Sequence, residues 1–234
     1  MQPFRARVAA VRDLTHDVRQ IDLALVDPPQ IRFVAGQFVS FEIDRSGFRT
    51  PATRPYSIAS PPHEADRIEL VLNRVPGGPG STYLFGLSEG DPTTFNGPVG
   101  SFSLRDNQRD VLFVATGTGI APIRSMLRSL AVRASPRRIT LFWGLRSERD
   151  LYYQDELTVL QQQLPSLSAT ITLSQPTGSW PGPVGRVTPL VTEAVTTTSN
   201  LEVYLCGNGG MIRDVRNLMR QKGLCPIYTE QYYS

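Results

Sequence analysis

Four short stretches of this chain combine residue types that could do chemistry. The first runs from Val111 to Leu127. An apolar run leads into Thr116-Gly117-Thr118-Gly119, and Pro122 then opens a periodic apolar–polar segment. This is the pattern of a buried parallel strand, a glycine turn and the first turn of a helix. Such a junction is an anion site. Backbone N–H groups and the positive helix end point outward, and glycine lets a phosphate come close. In the dinucleotide fingerprint G-x-G-x-x-G the third glycine would stand where Pro122 does, so this stretch alone also admits a plain strand–turn–helix.

The other three are shorter. Arg54-Pro55-Tyr56-Ser57 sets a guanidinium that can fork onto phosphate beside a flat ring for stacking and a small hydroxyl. It reads equally as a strand-edge turn. Gly77-Gly78-Pro79-Gly80-Ser81-Thr82 is a glycine loop running into a short helix, with Ser81 expected at its N-cap. The alternative is a flexible hairpin loop. Cys206-Gly207-Asn208-Gly209-Gly210-Met211 lies between a strand pattern and a helix pattern, which puts a small thiol at the carboxyl end of a parallel strand. A buried core cysteine is the competing reading.

The elements that must hold these stretches fall into two kinds. Residues 4–12, 18–26, 37–43 and 67–75 alternate apolar and polar side chains, with Pro- and Gly-rich turns at 27–29, 60–62, 76–80 and 97–100. Short alternating strands at this spacing predict a small antiparallel barrel or sandwich. The polar bridge at 105–110 ends that pattern. Beyond it, strands at 111–115, 138–144, 169–174 and 201–206 alternate with helical segments at 153–163, 188–194 and 211–221. That order predicts a doubly wound parallel sheet, which binds ligands at the carboxyl ends of its strands. The expected division is 1–106 and 107–234.

Composition narrows the function. The chain has 234 residues, a net charge of +3, two cysteines and two histidines. The charge is mild and lacks basic runs, so nucleic acid is not expected. Cys206 and Cys225 cannot supply the four thiolates of a typical iron–sulfur cluster, and no metal site is expected. No apolar run approaches membrane-span length, and the first residues lack a signal-peptide core. A cytoplasmic chain with reduced thiols is the expectation.

Taken together and in this order, the motifs resemble those of the ferredoxin–NADP reductase superfamily, over nearly the whole length. The resemblance implies an N-terminal antiparallel β-barrel that binds FAD and a C-terminal α/β domain that binds NAD(P). Arg54, Pro55, Tyr56 and Ser57 stand as the R-x-Y-S flavin motif. Leu72, Asn73 and Arg74 join the flavin site, and Gly80, Ser81 and Thr82 form the phosphate clasp. Gly97 to Phe102 matches the G-P-x-G-x-F segment that closes the barrel. Thr116, Gly117, Thr118, Gly119 and Pro122 match the dinucleotide loop, and Cys206, Gly207 and Met211 match C-G-x-x-x-M. Residues 144–153 resemble the segment facing the adenosine ribose.

By the same resemblance, Ser57, Cys206 and Glu230 lie at the reacting centre, where the nicotinamide meets flavin N5. Tyr232 or Tyr233 of the E-x-Y-like ending covers the flavin or its adenine. NADPH-preferring members often carry an Arg after the third parallel strand, where this chain has Gln175. Arg186, with Arg146 beside it, tips the expectation toward NADPH over NADH. The implied activity is electron transfer between NAD(P)H and a separate carrier through FAD, the carrier being a ferredoxin, a flavodoxin or an oxygenase component. The alternative is a flavin reductase or an oxygenase electron-transfer subunit. A monomer is expected.

Overall fold

The computed structural model describes residues 1–43 and 51–232, and everything structural below concerns these residues. They fall into two compact units. The first is Met1–Leu104 with Arg124–Ser129, and the second is Arg105–Ile123 with Leu130–Ser234.

The first unit is an antiparallel sheet in the order β4-β3-β6-β1-β2-β5. Its strands are β1 (Gln2–Asp13), β2 (Val18–Asp27), β3 (Phe38–Ile43), β4 (Ala52–Ser57), β5 (Arg67–Asn73) and β6 (Pro92–Val99). The two edges approach through an Ile58–Leu70 bridge and the Ala59 N–H to Glu69 carbonyl bond at 2.8 Å, so the sheet curls toward closure. Alternation drives this. Phe4, Ala6 and Val8 of β1 point inward with Ile21, Leu23, Phe41, Ile68, Leu70 and Phe95, each at most 3% exposed. The core is reinforced by the stacked rings of Phe4 and Phe95, with centroids 5.3 Å apart. Glu69 alternates to the other face of β5 and is also buried, paired there with Arg124 and Arg128.

Helix α1 (Pro79–Phe85) sits between β5 and β6. Its N-cap is Gly78, with Pro79 in the first turn, which corrects the expectation of Ser81 as cap. Ser81 lies inside the helix. Its hydroxyl accepts the Val75 N–H at 3.0 Å and faces the Val75 and Gly78 carbonyls, pinning the glycine loop.

The second unit is a parallel sheet in the order β11-β10-β7-β8-β9. It comprises β7 (Asp110–Thr116), β8 (Ile139–Leu145), β9 (Leu167–Leu173), β10 (Leu201–Gly207) and β11 (Ile227–Gln231), with the two ends of helix α2 (Ile120–Val132), whose Arg124–Ser129 stretch belongs to the first unit, and helices α3 (Gln154–Gln163), α4 (Val187–Ala194) and α5 (Gly209–Lys222). Near-continuous burial of Val111–Ala115 and Glu202–Gly207 is what a sheet covered on both faces requires. Glu202, fully buried, is paired with Arg137 and bonded by Asn107 and the Tyr204 hydroxyl. Burial pushes the Tyr204 phenol far above its usual range. The sheet's order reverses between β7 and β10. The crevice at such a switch point, outside the carboxyl ends, is where parallel sheets take ligands.

Candidate functional site

The first unit brings together the Arg54–Ser57 and Gly77–Thr82 stretches. β3 and β4 pair so that Tyr56 faces Val39 and Ser57 faces Phe38. Tyr56 is half-buried, its ring edge-on to Phe41 with centroids 5.8 Å apart. Arg54 is exposed and donates to the Thr53 carbonyl at 2.9 Å, while Ser57 is 4% exposed. Gly80 meets this strand closely. A Cβ there would lie 2.3 Å from the Tyr56 hydroxyl and 3.0 Å from Arg54 Cγ. Any larger residue there would displace the Tyr56 hydroxyl and crowd the Arg54 stem. A cation, a flat ring and a glycine helix start therefore converge, which fits a ligand with both an aromatic system and phosphate.

Thr82 is exposed at this helix, and Pro55 is exposed on β4. Leu72 is in the barrel core, with Asn73 half-buried beside it. The Arg74 guanidinium lies over the Phe85 ring at 4.7 Å, as does that of Arg19.

In the second unit the ends of β7 and β10 meet. Their register runs Leu201–Asp110 through Cys206–Ala115. Thr116 Oγ1 accepts the Asn208 N–H at 2.9 Å, tying the two strand-end turns together. A Cβ on Gly119 would fall 2.4 Å from the Cys206 carbonyl oxygen, and one on Gly207 2.3 Å from Thr116 Oγ1. Gly117 differs. Its φ is +53° and a Cβ there would meet nothing within 4 Å, so the turn is open on that side. Gly117–Gly119 form one turn of 3-10 helix ahead of α2, and Pro122 is the third residue of α2. Crowding on one side and open space on the other is the form of a loop that a phosphate can approach.

Trp143 and Tyr152 were not singled out by their sequence context. The Trp143 indole N–H and the Tyr152 hydroxyl both donate to the Gly117 carbonyl, at 3.0 and 3.1 Å. Their rings pack edge-on with centroids 4.8 Å apart. They hold this peptide from behind. The aromatic cluster after β8 was the available signal. Asn208 is the third such residue. Its side chain caps α5 through Gly210 and Met211 N–H groups at 2.8 and 3.3 Å. An Asn ahead of two glycines at a strand–helix junction is a cap signal.

Cys206 is fully buried. Burial pushes its thiol up, the Glu230 charge adds to this, and a hydrogen bond with Tyr232 opposes it. Glu230 is its register partner across β10–β11, and the Tyr232 N–H donates to the Gly207 carbonyl at 2.9 Å. The tail thus runs along the same strand end. Tyr233 lies outside the described residues. Met211 is buried in the first turn of α5. Arg146 is exposed, its Nε donating to Gln175 Oε1 at 3.0 Å, and Arg186 is exposed just ahead of α4.

Two family models match. An oxidoreductase FAD-binding domain covers residues 5–104 and an oxidoreductase NAD-binding domain covers residues 113–217. A ferredoxin–NADP reductase B from Sorangium cellulosum is 36% identical over 99% of this chain and 98% of its own length. The chain belongs to the ferredoxin–NADP reductase family.

Other members of the family differ in extent. The ferredoxin–NAD(P)+ reductase component of a Ralstonia naphthalene dioxygenase/salicylate hydroxylase system is 32% identical, matching 98% of this chain and 69% of that protein. The solved cytochrome P450 reductase GcoB of Amycolatopsis superposes with a TM-score of 0.88 at 27% identity, covering all of this chain and 70% of that one. Membership makes FAD and NAD(P)H the cofactors and makes the chain an oxidoreductase. Among the described residues no helix is long and apolar enough to cross a membrane.

Proposed function

We propose that this reductase takes electrons from NAD(P)H and delivers them to a separate carrier protein, such as a ferredoxin, a flavodoxin or an oxygenase component. The observation that carries the reading is the convergence of Arg54, Tyr56 and Gly80. Among the described residues of the first unit, this is where a stacking ring, a phosphate-forking cation and a glycine helix start come together. Bound FAD supplies the chemistry, since it accepts two electrons as hydride and releases them singly.

The residues bind, orient and exclude water. Arg54 takes a flavin phosphate, with Thr82 and the Gly80 backbone beside it. Tyr56, anchored by Phe41, stacks on the ring. Ser57, Asn73 and Arg74 line the ring's polar edge, and Leu72 backs it from the core. In the second unit the Thr116–Gly119 turn, held by Trp143 and Tyr152, takes the dinucleotide phosphates. Cys206, kept neutral by its burial, packs beneath the place of the nicotinamide, and Glu230 and Tyr232 close that edge against solvent. Hydride transfer needs no strong protein base, which accords with a thiol held in its protonated form. The two cysteines of this sequence cannot build an iron–sulfur cluster within it.

The test is a visible spectrum of the purified protein, followed by NAD(P)H addition with and without ferredoxin. The expected result is a flavin spectrum that NAD(P)H bleaches and ferredoxin restores. A colourless protein would overturn the reading, and one that reduces only free flavin would favour the flavin-reductase alternative.

A further inference from the structure

Glu148 lies two residues beyond Arg146, on the segment after β8. Its carboxylate gathers a set of donors from the loop after β9. The Thr177 N–H reaches Oε2 at 2.9 Å and Oε1 at 3.1 Å, the Gly178 N–H reaches Oε1 at 2.9 Å, and the Thr177 hydroxyl reaches Oε2 at 3.1 Å. Two successive backbone N–H groups and a hydroxyl make an anion nest. Here the chain's own carboxylate fills it.

The loop is fixed where it stands. The Gly185 N–H bonds the Leu173 carbonyl at 2.8 Å and closes its base. The Ser174 and Gln175 N–H groups bond the Leu145 and Arg146 carbonyls at 3.0 and 2.7 Å. Arg146, two residues before Glu148, already donates to the Gln175 side chain. The hydrogen bonds from Thr177 and Gly178 hold the Glu148 carboxyl down at about 2, so it is charged throughout the working range.

We infer that Glu148 selects NADH over NADPH by placing a carboxylate, already bonded to the loop's N–H donors, where the adenosine ribose of the dinucleotide is received. This rests on the proposed reading of the second unit as the dinucleotide site, with residues 144–153, which resemble the family's ribose-facing segment, at its adenosine end. A 2′-hydroxyl can donate to a carboxylate. A 2′-phosphate meets a like charge and finds the nest donors taken, a penalty built against the wrong ligand rather than a contact made for the right one. Arg186, which in sequence argued for NADPH, is solvent-exposed, so its pull on a 2′-phosphate is screened, as the Glu148 push is in part.

The test is calorimetric titration of the FAD-loaded protein with 5′-AMP and with 2′,5′-ADP, in the parent, Glu148→Gln and Glu148→Ala. The parent should bind 5′-AMP more tightly. Both variants should shift the ratio toward 2′,5′-ADP by about five- to tenfold, less at high salt, since the site is at the surface. Glu148→Gln keeps an acceptor for the Thr177 N–H, so a shift there isolates charge from loop loosening. A ratio that both variants leave unchanged while 5′-AMP still binds overturns the inference and leaves the dinucleotide site standing. Parent protein that prefers 2′,5′-ADP also overturns it. If neither probe binds a protein whose flavin spectrum is intact, the adenosine-site reading falls and this inference with it.

Discussion

Gly119 and Cys206 are packed backbone to backbone, with only 2.4 Å between the Cys206 carbonyl oxygen and the place a Cβ would occupy on Gly119. The contact fixes the Thr116–Gly119 turn, the proposed dinucleotide loop, against the strand end that carries the buried thiol, at the switch point of the sheet. Gly119→Ala must push the two strand ends apart. A misplacement of about 1 Å in a positioned site costs on the order of a hundredfold in rate. Stopped-flow flavin reduction by NAD(P)H should slow by about that factor, with flavin content unchanged. Parent-like reduction would show that the turn yields without cost.

Arg54 bears on flavin retention. Replacing it with Ala would remove the charge-assisted phosphate contact proposed for it, roughly 1.5–3 kcal/mol. Flavin affinity should fall about ten- to hundredfold, measured as flavin content after dialysis and by titration with FAD. Full occupancy in Arg54→Ala would separate this residue from the phosphate.

Cys206 is sealed and its thiol raised, chiefly by burial. Cys225 is only partly buried, and its thiol is raised less completely. Alkylation of the folded protein should therefore modify Cys225 first, with Cys206 reacting only on unfolding, as mass spectrometry of timed samples can read. Cys206→Ala should slow flavin reduction while flavin content holds. Early labelling of Cys206 would contradict the burial that assigns it a neutral role.

Glu69 predicts an acid limit for the barrel unit. Burial pushes its carboxyl up, but the charge and hydrogen bond of Arg124, helped by Arg128 and Arg67, outweigh this and leave it below its ordinary 4.5. The folded group titrates lower than the unfolded one. Its contribution to stability is therefore complete above about pH 5 and declines as pH falls through 4.5 and below. Glu69→Gln should flatten that part of the stability–pH curve in urea unfolding monitored at pH 7, 5 and 4. A slope identical to the parent's would mean that other carboxylates govern the acid limit.

The order of motifs and the two hydropathy periods were sufficient to read the barrel, the parallel sheet and the family. Alternation in residues 4–12 and the continuous apolar run at 111–115 report which faces are covered, and burial is a local consequence of side-chain type. What stayed illegible depends on which distant backbones meet. That Ser81 pins a loop instead of capping a helix follows from where Val75 comes to lie. The roles of Trp143 and Tyr152 exist only because their donors converge on one Gly117 carbonyl, 26 and 35 residues away along the chain. Glu148 looks in sequence like one more surface carboxylate. The fold brings Thr177 and Gly178 to it and makes it the occupant of an anion nest. Periodicity encodes how a residue is buried, but the partner it finds is decided by tertiary register, which no local pattern carries.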